Sequence, residues 1–407
     1  MSTQRLTNWD RFSIFCITVS FIEIIDLSGN SLGVNITPFL ILSPVYVFAS
    51  IFSSQKIKIK VDLSLIIFSF LTIFIILSQI FRNSDLLEIS LQRTLLMIWT
   101  VAFIIYYVIV NKKTLIIIGK ATAKFFIWLN FLFFAIQFSI YYFSFTLPNE
   151  IGKFINLSIF FVDGNPRLSG IIADPNRSAT TTVLFMGLLY ILETRKAKSY
   201  VTYLLSFSIV LLSVSRIGII CLAIIVIFMI LRQKIHYAIS FLFVGSILLT
   251  TIAFYLLTQD SEEAIVRAYV SAPQRIESTL VHFSLLTEGF NVSTYSLKNF
   301  FLGTGWGTEY EYASKFFEGD KYANFHSGYI SFLVQGGIFC LIFYVIIIIL
   351  PLKISMQYLS IVIILIWANI FYQYNLQTSY WFVVCFILFF RLDRANLPRK
   401  LTQRGMN

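Results

Sequence analysis

The stretch Gly164-Asn165-Pro166-Arg167-Leu168-Ser169-Gly170 is followed closely by Ala173-Asp174-Pro175-Asn176-Arg177-Ser178. It is a polar segment between long apolar runs. After one predicted helical hairpin, the chain returns to the same side of the membrane with Ser213-Val214-Ser215-Arg216. The three arginines are therefore predicted to lie at one membrane face. Because an arginine within a membrane is costly unless it has a partner, they mark a candidate functional site.

The composition of the 407-residue chain is that of a polytopic membrane protein. Hydrophobic residues make up 57% of it, charged residues only 13%, and the mean hydropathy is +0.81. A water-soluble domain of this length does not need so much apolar surface. We therefore predict an all-α fold, a helical bundle in the membrane that forms a single domain over residues 1–407.

Apolar runs long enough to cross a bilayer predict about twelve transmembrane helices. The runs fall near residues 10–27, 32–52, 61–81, 94–110, 121–145, 177–193, 200–215, 217–232, 237–257, 326–350, 356–372 and 379–391. Two connecting segments exceed hairpin length, at about 146–176 and 258–325, and the second and larger one separates spans nine and ten. Within it, Pro273 predicts the start of a helix that ends at Gly289.

The distribution of charge predicts the orientation of the helices. An even number of spans puts both termini on one side, which would carry 20 of the 31 Lys and Arg residues, against 11 on the other. Under the positive-inside rule the richer side is cytoplasmic. Both termini are therefore predicted to be cytoplasmic, and the two long segments extracytoplasmic. The net charge of +11 follows from this topology, and no nucleic-acid partner is expected.

His326 opens the tenth predicted span at its extracytoplasmic end, after Asn324-Phe325. An imidazole at the mouth of a membrane site can hydrogen-bond a sugar hydroxyl and accept its proton near neutral pH. The alternative is a histidine that only marks the start of a helix.

The arginines are also open to two interpretations. Arg216 either extends to the outer lipid headgroups or binds a ligand. The planar guanidinium groups of Arg167 and Arg177 suit phosphate oxygens. Between them, Pro175 is predicted to start a helix that Asp174 caps, so Asp174 and Asn176 are first of all structural residues that pair with an arginine.

Gly303-Thr304-Gly305-Trp306-Gly307 is rich in glycine, but no strand and helix of a βαβ unit flank it. A dinucleotide site is therefore not expected, and a flexible turn is predicted instead. The sequence has no cluster of Cys and His with the spacing of a metal site. We predict neither a metal nor a cofactor.

Four motifs in order resemble the signature of the bacterial O-antigen polymerase and O-antigen ligase superfamily. They are Arg167-Leu168-Ser169-Gly170 leading into Asp174-Pro175-Asn176, Ser213-Val214-Ser215-Arg216-Ile217-Gly218, Leu302-Gly303-Thr304-Gly305-Trp306-Gly307, and His326 with Gly336-Gly337 further along its span. The match covers about residues 165–340, and the remainder resembles the family only in topology.

The resemblance implies a membrane glycosyltransferase at the outer, periplasmic face of the bacterial inner membrane. The family uses glycans linked to undecaprenyl pyrophosphate, without nucleotide sugar and without metal, and direct displacement would invert the anomeric centre. The polymerase extends the chain onto the next lipid-linked repeat unit, sometimes with a chain-length regulator protein as partner. The ligase transfers the finished chain to the lipopolysaccharide core.

The resemblance also assigns roles to residues. Arg167 and Arg216 would hold the donor pyrophosphate, with Arg177 and Asn176 beside Arg167 at the same site. His326 would position or deprotonate the acceptor hydroxyl, and Arg275 would be a further phosphate or glycan contact. Ligases of the family often carry a fuller polar cluster before the histidine, so this chain is predicted to be a polymerase.

A transporter for the same lipid-linked sugars is the competing class, and Lys120 or Lys124 in the fifth span could line its cavity. Transporters built of repeats have corresponding halves, whereas the arginines and the longest loop of this chain lie in its second half. A structural or binding subunit of a membrane assembly is a third alternative.

Overall fold

The computed structural model describes residues 6–25, 37–53, 63–80, 87–143, 160–162, 165–193, 199–232, 272–313, 325–374 and 376–390. The helices are α1 (Asn8–Val19), α2 (Pro38–Phe52), α3 (Leu63–Ile80), α4 (Leu87–Val110), α5 (Leu115–Tyr142), α6 (Pro175–Leu192), α7 (Tyr200–Leu212), α8 (Arg216–Arg232), α9 (Ala272–Thr294), α10 (Leu297–Leu302), α11 (Glu309–Ala313), α12 (Gly328–Ile349), α13 (Pro351–Ile354), α14 (Leu359–Phe371) and α15 (Thr378–Phe389). Strands β1 (Phe160–Val162) and β2 (Asn165–Arg167) form one antiparallel pair. The ninth predicted span (237–257) and the loop residues 146–159, 258–271 and 314–324 lie outside the described residues.

The fold is that of a helical membrane protein, as the composition predicts. Among the described residues, four stretches are helical, long and apolar enough to cross a membrane: Leu63–Ile80, Ser90–Val110, Leu115–Tyr142 and Gly328–Ile354. Helices α2, α7, α8, α14 and α15 are shorter and also apolar. Large hydrophobic side chains such as Phe48, Ile73 and Trp128 are exposed on the outer helices, where a bilayer would cover them.

Helices α6 and α15 lie at the centre of the bundle. Every residue from Ser178 to Tyr190 in α6 is buried, and so is every residue of α15. Helix α6 packs against α5, α7, α8, α14 and α15. Its first half carries small hydroxyl side chains, including Thr180, Thr181 and Thr182, which allow neighbouring helices to approach closely.

The start of α6 confirms the prediction made from its sequence. Asp174 is the N-cap, and its carboxylate accepts a hydrogen bond from the Arg177 backbone N–H at 2.8 Å. Pro175 takes the first helical position, where a missing N–H removes no helical hydrogen bond. This cap places Asn176 and Arg177 in the first turn of the central helix.

The helix at the first predicted span is shorter than that prediction. Helix α1 ends at Val19, so its 12 residues rise about 18 Å, less than the hydrocarbon core of a bilayer. The chain leaves the helix because the Glu23 backbone N–H donates to the Ile171 carbonyl, at 2.8 Å. This piece of chain therefore pairs with the segment before α6 instead of extending α1.

Helices α9 to α11 form an arm, residues 272–313, that packs on the start of α12. A small apolar cluster joins them, made of Leu285, Val292, Ala313, Phe325 and Val334. Helix α9 continues past Gly289, so the helix end predicted there is wrong. A Cβ on Gly289 would lie 2.2 Å from Ile330 Cγ2, so this glycine permits close helix packing and is not a C-terminal cap.

Helix α12 is interrupted at Gly337, which has a φ of 74°, and the glycine-rich loop docks just before this point. The carbonyls of Val334 and Gln335 accept hydrogen bonds from the N–H groups of Thr304, at 2.8 Å, and Gly305, at 3.1 Å. Residues 303–308 are all buried. The loop is thus a buried, hydrogen-bonded turn and not the flexible one predicted from its glycines.

Replacing Gly337 with alanine is expected to destabilise this junction. The added Cβ would lie 2.3 Å from the Phe301 carbonyl oxygen, and the positive φ is unfavourable for an L side chain. Strain and overlap together should lower the free energy of unfolding by on the order of 3 kcal/mol. The measurement is the Tm of the purified protein, which should fall. Gly187→Ala is the control, because there the nearest atom to the new Cβ would be 3.2 Å away. Equal Tm changes in the two variants would contradict this account.

Candidate functional site

The connection from β2 to α6, residues 168–174, is largely buried although it has no regular secondary structure. Side chains of α5 satisfy its backbone. Gln137 Oε1 accepts two backbone N–H groups, at 3.0 and 2.9 Å, and Asn130 Oδ1 accepts a third at 2.9 Å. Irregular backbone is tolerated at membrane depth when protein groups bond it in this way. The connection therefore fixes the position of Arg167 relative to the first turn of α6.

Arg167 joins the two motifs that the sequence places at one end of the bundle. Its Nε donates to the Ser213 carbonyl at 3.3 Å, and Nη2 donates to the Val214 carbonyl at 3.4 Å and to Asn176 Oδ1 at 2.8 Å. These contacts tie β2 to the α7–α8 turn and to the start of α6. Its second terminal nitrogen, Nη1, makes no hydrogen bond to the described part of the chain.

Asn176 connects Arg167 to Tyr372. Because a guanidinium group only donates hydrogen bonds, the Asn176 carbonyl oxygen must face Arg167, and its amide nitrogen donates to the Tyr372 hydroxyl oxygen. The Tyr372 oxygen is thus an acceptor in this chain of contacts. Its own proton is left to donate to a further oxygen atom.

Tyr372 lies close to the arginine group. The charges of Arg167, Arg177 and Arg216 all act on its phenol, and so does the charge of Asp174. All three guanidinium groups are therefore within electrostatic range of one hydroxyl group.

Arg177 is paired. Its Nη2 lies 3.5 Å from Glu23 Oε2, and that same oxygen accepts the Ala173 backbone N–H at 3.4 Å. Glu23, an acidic residue within the first predicted span, therefore neutralises one of the three arginines. Arg177 accordingly has a structural partner before any ligand is considered.

Arg216 is the exposed member of the group. It is the first residue of α8, after a turn in which Val214 has a positive φ of 50° and Ser215 Oγ accepts the Gly218 N–H at 3.0 Å. Within the described ranges its side chain makes no hydrogen bond or ion pair. Arg216 thus presents a positive charge that is available to an anion.

His326 lies beside Tyr372. Its ring centroid lies 6.0 Å from that of Tyr372, and the Gly328 N–H donates to the Tyr372 carbonyl at 3.1 Å. His326 also has a φ of 53°, a left-handed conformation that is uncommon outside glycine and often found at functional sites. The histidine and the arginines, about 110 to 160 residues apart in the chain, therefore share one site.

Five of the six residues predicted for the site lie near Tyr372. Asn176 bonds it and links it to Arg167, the His326 ring is 6.0 Å away, and the charges of Arg177 and Arg216 act on it. The sixth, Arg275, has its backbone in α9, and its side chain lies outside the described part of the structure. Sequence reasoning missed Tyr372, because nothing in Tyr372-Gln373-Tyr374 distinguishes it from an ordinary interfacial tyrosine. Glu23 did carry a signal, as an acidic residue within an apolar run.

The described residues include no group of three or more His, Cys, Asp or Glu side chains that could hold a metal ion. Compared with models of protein families and with curated proteins, the chain matches none. The assignment of function therefore depends on the chemistry of this site and on the motifs in the sequence.

Proposed function

We propose that the protein is a polymerase of O-antigen or another bacterial surface polysaccharide. It would transfer a glycan from undecaprenyl pyrophosphate onto a lipid-linked repeat unit at the periplasmic face of the inner membrane. The observation that carries the proposal is a phenol that Asn176 links to Arg167, that lies within electrostatic range of Arg177 and Arg216, and that has the His326 ring 6.0 Å away.

The arginine side of the site fits a pyrophosphate leaving group. The exposed Arg216 and the Nη1 group of Arg167 offer N–H donors, and the Tyr372 hydroxyl adds another. When the bond between the anomeric carbon and the pyrophosphate oxygen breaks, negative charge grows on that oxygen. Donors already held in place stabilise such charge with little reorganisation.

The histidine side fits the acceptor. The acceptor hydroxyl oxygen would attack the anomeric carbon as the bond to the pyrophosphate breaks, and His326 would take the hydroxyl proton. The products are the lengthened glycan on the acceptor lipid and free undecaprenyl pyrophosphate. A single displacement of this kind inverts the anomeric centre.

Charges at the two ends of α6 support the proposed orientation of this helix, with the site on the periplasmic side. The arginines lie at the end where α6 begins. At the other end, Glu193 is the C-cap; its Oε1 atom is 3.9 Å from Lys120 Nζ, and its Oε2 atom is 3.4 Å from Lys124 Nζ. The 18 residues of α6 separate these ends by about 27 Å. Lysines at one end and the site at the other are the arrangement expected if the lysines face the cytoplasm.

The same lysines argue against the transporter alternative. Lys120 and Lys124 both lie against the Glu193 carboxylate, which gives them a structural role at the end of α6 opposite the arginines. The ligase alternative uses the same donor chemistry and differs only in the acceptor. The polymerase is preferred because ligases of the family often carry a fuller polar cluster before the histidine than this chain has before His326.

Replacing Tyr372 with phenylalanine should slow glycan transfer by roughly 10- to 100-fold. The variant loses one donor to the leaving group and leaves the Asn176 amide without its acceptor. The measurement is the rate of transfer by purified protein in proteoliposomes. Tyr358→Phe is the control, because Tyr358 donates to the Phe390 carbonyl, away from the site, at 2.9 Å. A Tyr372→Phe rate equal to that of the control would remove Tyr372 from the reaction.

Deletion of the gene, followed by gel analysis of surface polysaccharide, tests the proposed function. A polymerase predicts loss of the ladder with single repeat units still attached to the lipid core. Loss of all attached glycan, with long chains on the carrier lipid, would identify a ligase. Repeat units that accumulate on the cytoplasmic side would identify a transporter and refute the proposal.

A further inference from the structure

Glu309 is a buried carboxylate in the α9–α11 arm that none of the site chemistry above uses. It is the first residue of α11, and it is only 3% exposed. A buried carboxylate needs hydrogen bonds or an opposite charge to offset its lost hydration. The partners that Glu309 has therefore indicate what it does.

Both carboxylate oxygens of Glu309 accept hydrogen bonds from other parts of the chain. Ser331 Oγ of α12 donates to Oε2 at 2.5 Å, and Gln373 Nε2 donates to Oε1 at 2.7 Å. The Phe325 backbone N–H is a third donor, and Arg93 lies near enough to favour the charged form. Burial still raises the pKa of Glu309 above the ordinary value.

Two of these donors are the direct neighbours of site residues. Phe325 precedes His326, and Gln373 follows Tyr372. The Gly328 N–H, which donates to the Tyr372 carbonyl, and the packing of the His326 and Tyr372 rings also join these two segments. Glu309 thus holds, from a third segment, the two pieces of chain that carry His326 and Tyr372.

We infer that Glu309 is a positioning residue, which sets the distance between His326 and Tyr372 and couples the α9–α11 arm to the site. This inference deepens the proposed function and, for its catalytic part, depends on it. If an acceptor glycan moves the arm, the carboxylate would carry that movement to both segments. Misplacement of reacting groups by about 1 Å can cost on the order of 100-fold in rate.

Swapping the carboxylate of Glu309 with the amide of Gln373 tests the inference. Glu309→Gln should lower the transfer rate by roughly 10- to 100-fold at saturating donor, because Gln373 then faces another amide. The KM for the donor should change little, since the arginines belong to other elements. Gln373→Glu should also lose activity, because two carboxylates would face each other. The double variant, Glu309→Gln with Gln373→Glu, restores one carboxylate and one amide and should recover most of the rate.

The second readout is hydrogen–deuterium exchange of the full chain in nanodiscs, which does not require activity. In Glu309→Gln we expect faster exchange in residues 325–328 and 372–374, with a return toward wild type in the double variant. Glu311→Gln, a half-buried carboxylate on the same helix, is the matched control and should change neither readout.

The outcomes separate the two hypotheses. Unchanged exchange at both segments in Glu309→Gln, or no recovery in the double variant, would overturn the positioning role. Faster exchange with an unchanged transfer rate would overturn its catalytic consequence. If the wild-type protein transfers no glycan at all, the proposed function fails, while the exchange data still decide whether Glu309 holds the two segments.

Discussion

Replacing Arg216 with alanine should abolish polymerisation while the protein still inserts and folds. Arg216 is exposed, and within the described residues it has no hydrogen bond or ion pair to lose, so the substitution removes charge without opening a buried contact. Loss of one hydrogen-bond donor to a developing anion costs on the order of 100- to 1000-fold in rate. The measurement is transfer by purified variants in proteoliposomes, together with glycan ladders from cells.

Two variants make the Arg216 result interpretable. Arg216→Lys keeps the charge but loses the planar pair of donors, so it should retain only part of the activity. Arg11→Ala removes an exposed arginine from the start of α1 and should be as active as wild type. Near-normal ladders from Arg216→Ala would refute the pyrophosphate role of the arginines.

Replacing His326 should reduce turnover much more than donor binding. Removal of a general base costs roughly 100- to 10,000-fold in rate, while the proposed donor pyrophosphate would be held on the arginine side of the site. Because His326 has a positive φ, alanine would add backbone strain to the chemical loss. His326→Asn is therefore the sharper variant, since asparagine tolerates this conformation but accepts no proton at neutral pH.

Donor binding is the control measurement for His326. Binding of a lipid-linked donor to His326→Asn should stay within a few-fold of wild type, and the Tm should be unchanged. If donor binding collapses in His326→Asn, the histidine does not act on the acceptor side. If His326→Asn turns over as fast as wild type, the histidine only marks the start of α12.

The sequence predicts the architecture well where a local cause sets it. Asp174 and Pro175 fix the start of α6 by capping and by a fixed φ, and both act within one turn. Predictions failed where a distant partner decides the local structure. Helix α1 ends early because Glu23 pairs with Ile171, and α9 passes Gly289 because Ile330 packs there. Neither partner can be identified from the neighbouring residues in the chain.

The residues of the site also divide into those that are recognisable in the sequence and those that only distant contacts reveal. Arginines in an apolar chain are conspicuous in sequence because their burial is costly, and all three of them lie within electrostatic range of Tyr372. Tyr372 and Glu309 are not conspicuous, since tyrosine and glutamate are ordinary residues near a membrane surface. The roles proposed for them depend on contacts with Asn176 and with Ser331 and Gln373, which only the folded chain provides.

The proposed polymerase activity can be measured as transfer by the purified protein in proteoliposomes that contain only undecaprenyl-pyrophosphate-linked repeat units. No nucleotide sugar and no second protein are added, and the products are separated by size. We expect a ladder of lengthening glycans on the carrier lipid, with release of undecaprenyl pyrophosphate, and no ladder from Arg216→Ala. Repeat units that stay single in the presence of wild-type protein, while it moves them across the bilayer, would contradict the proposed polymerase activity.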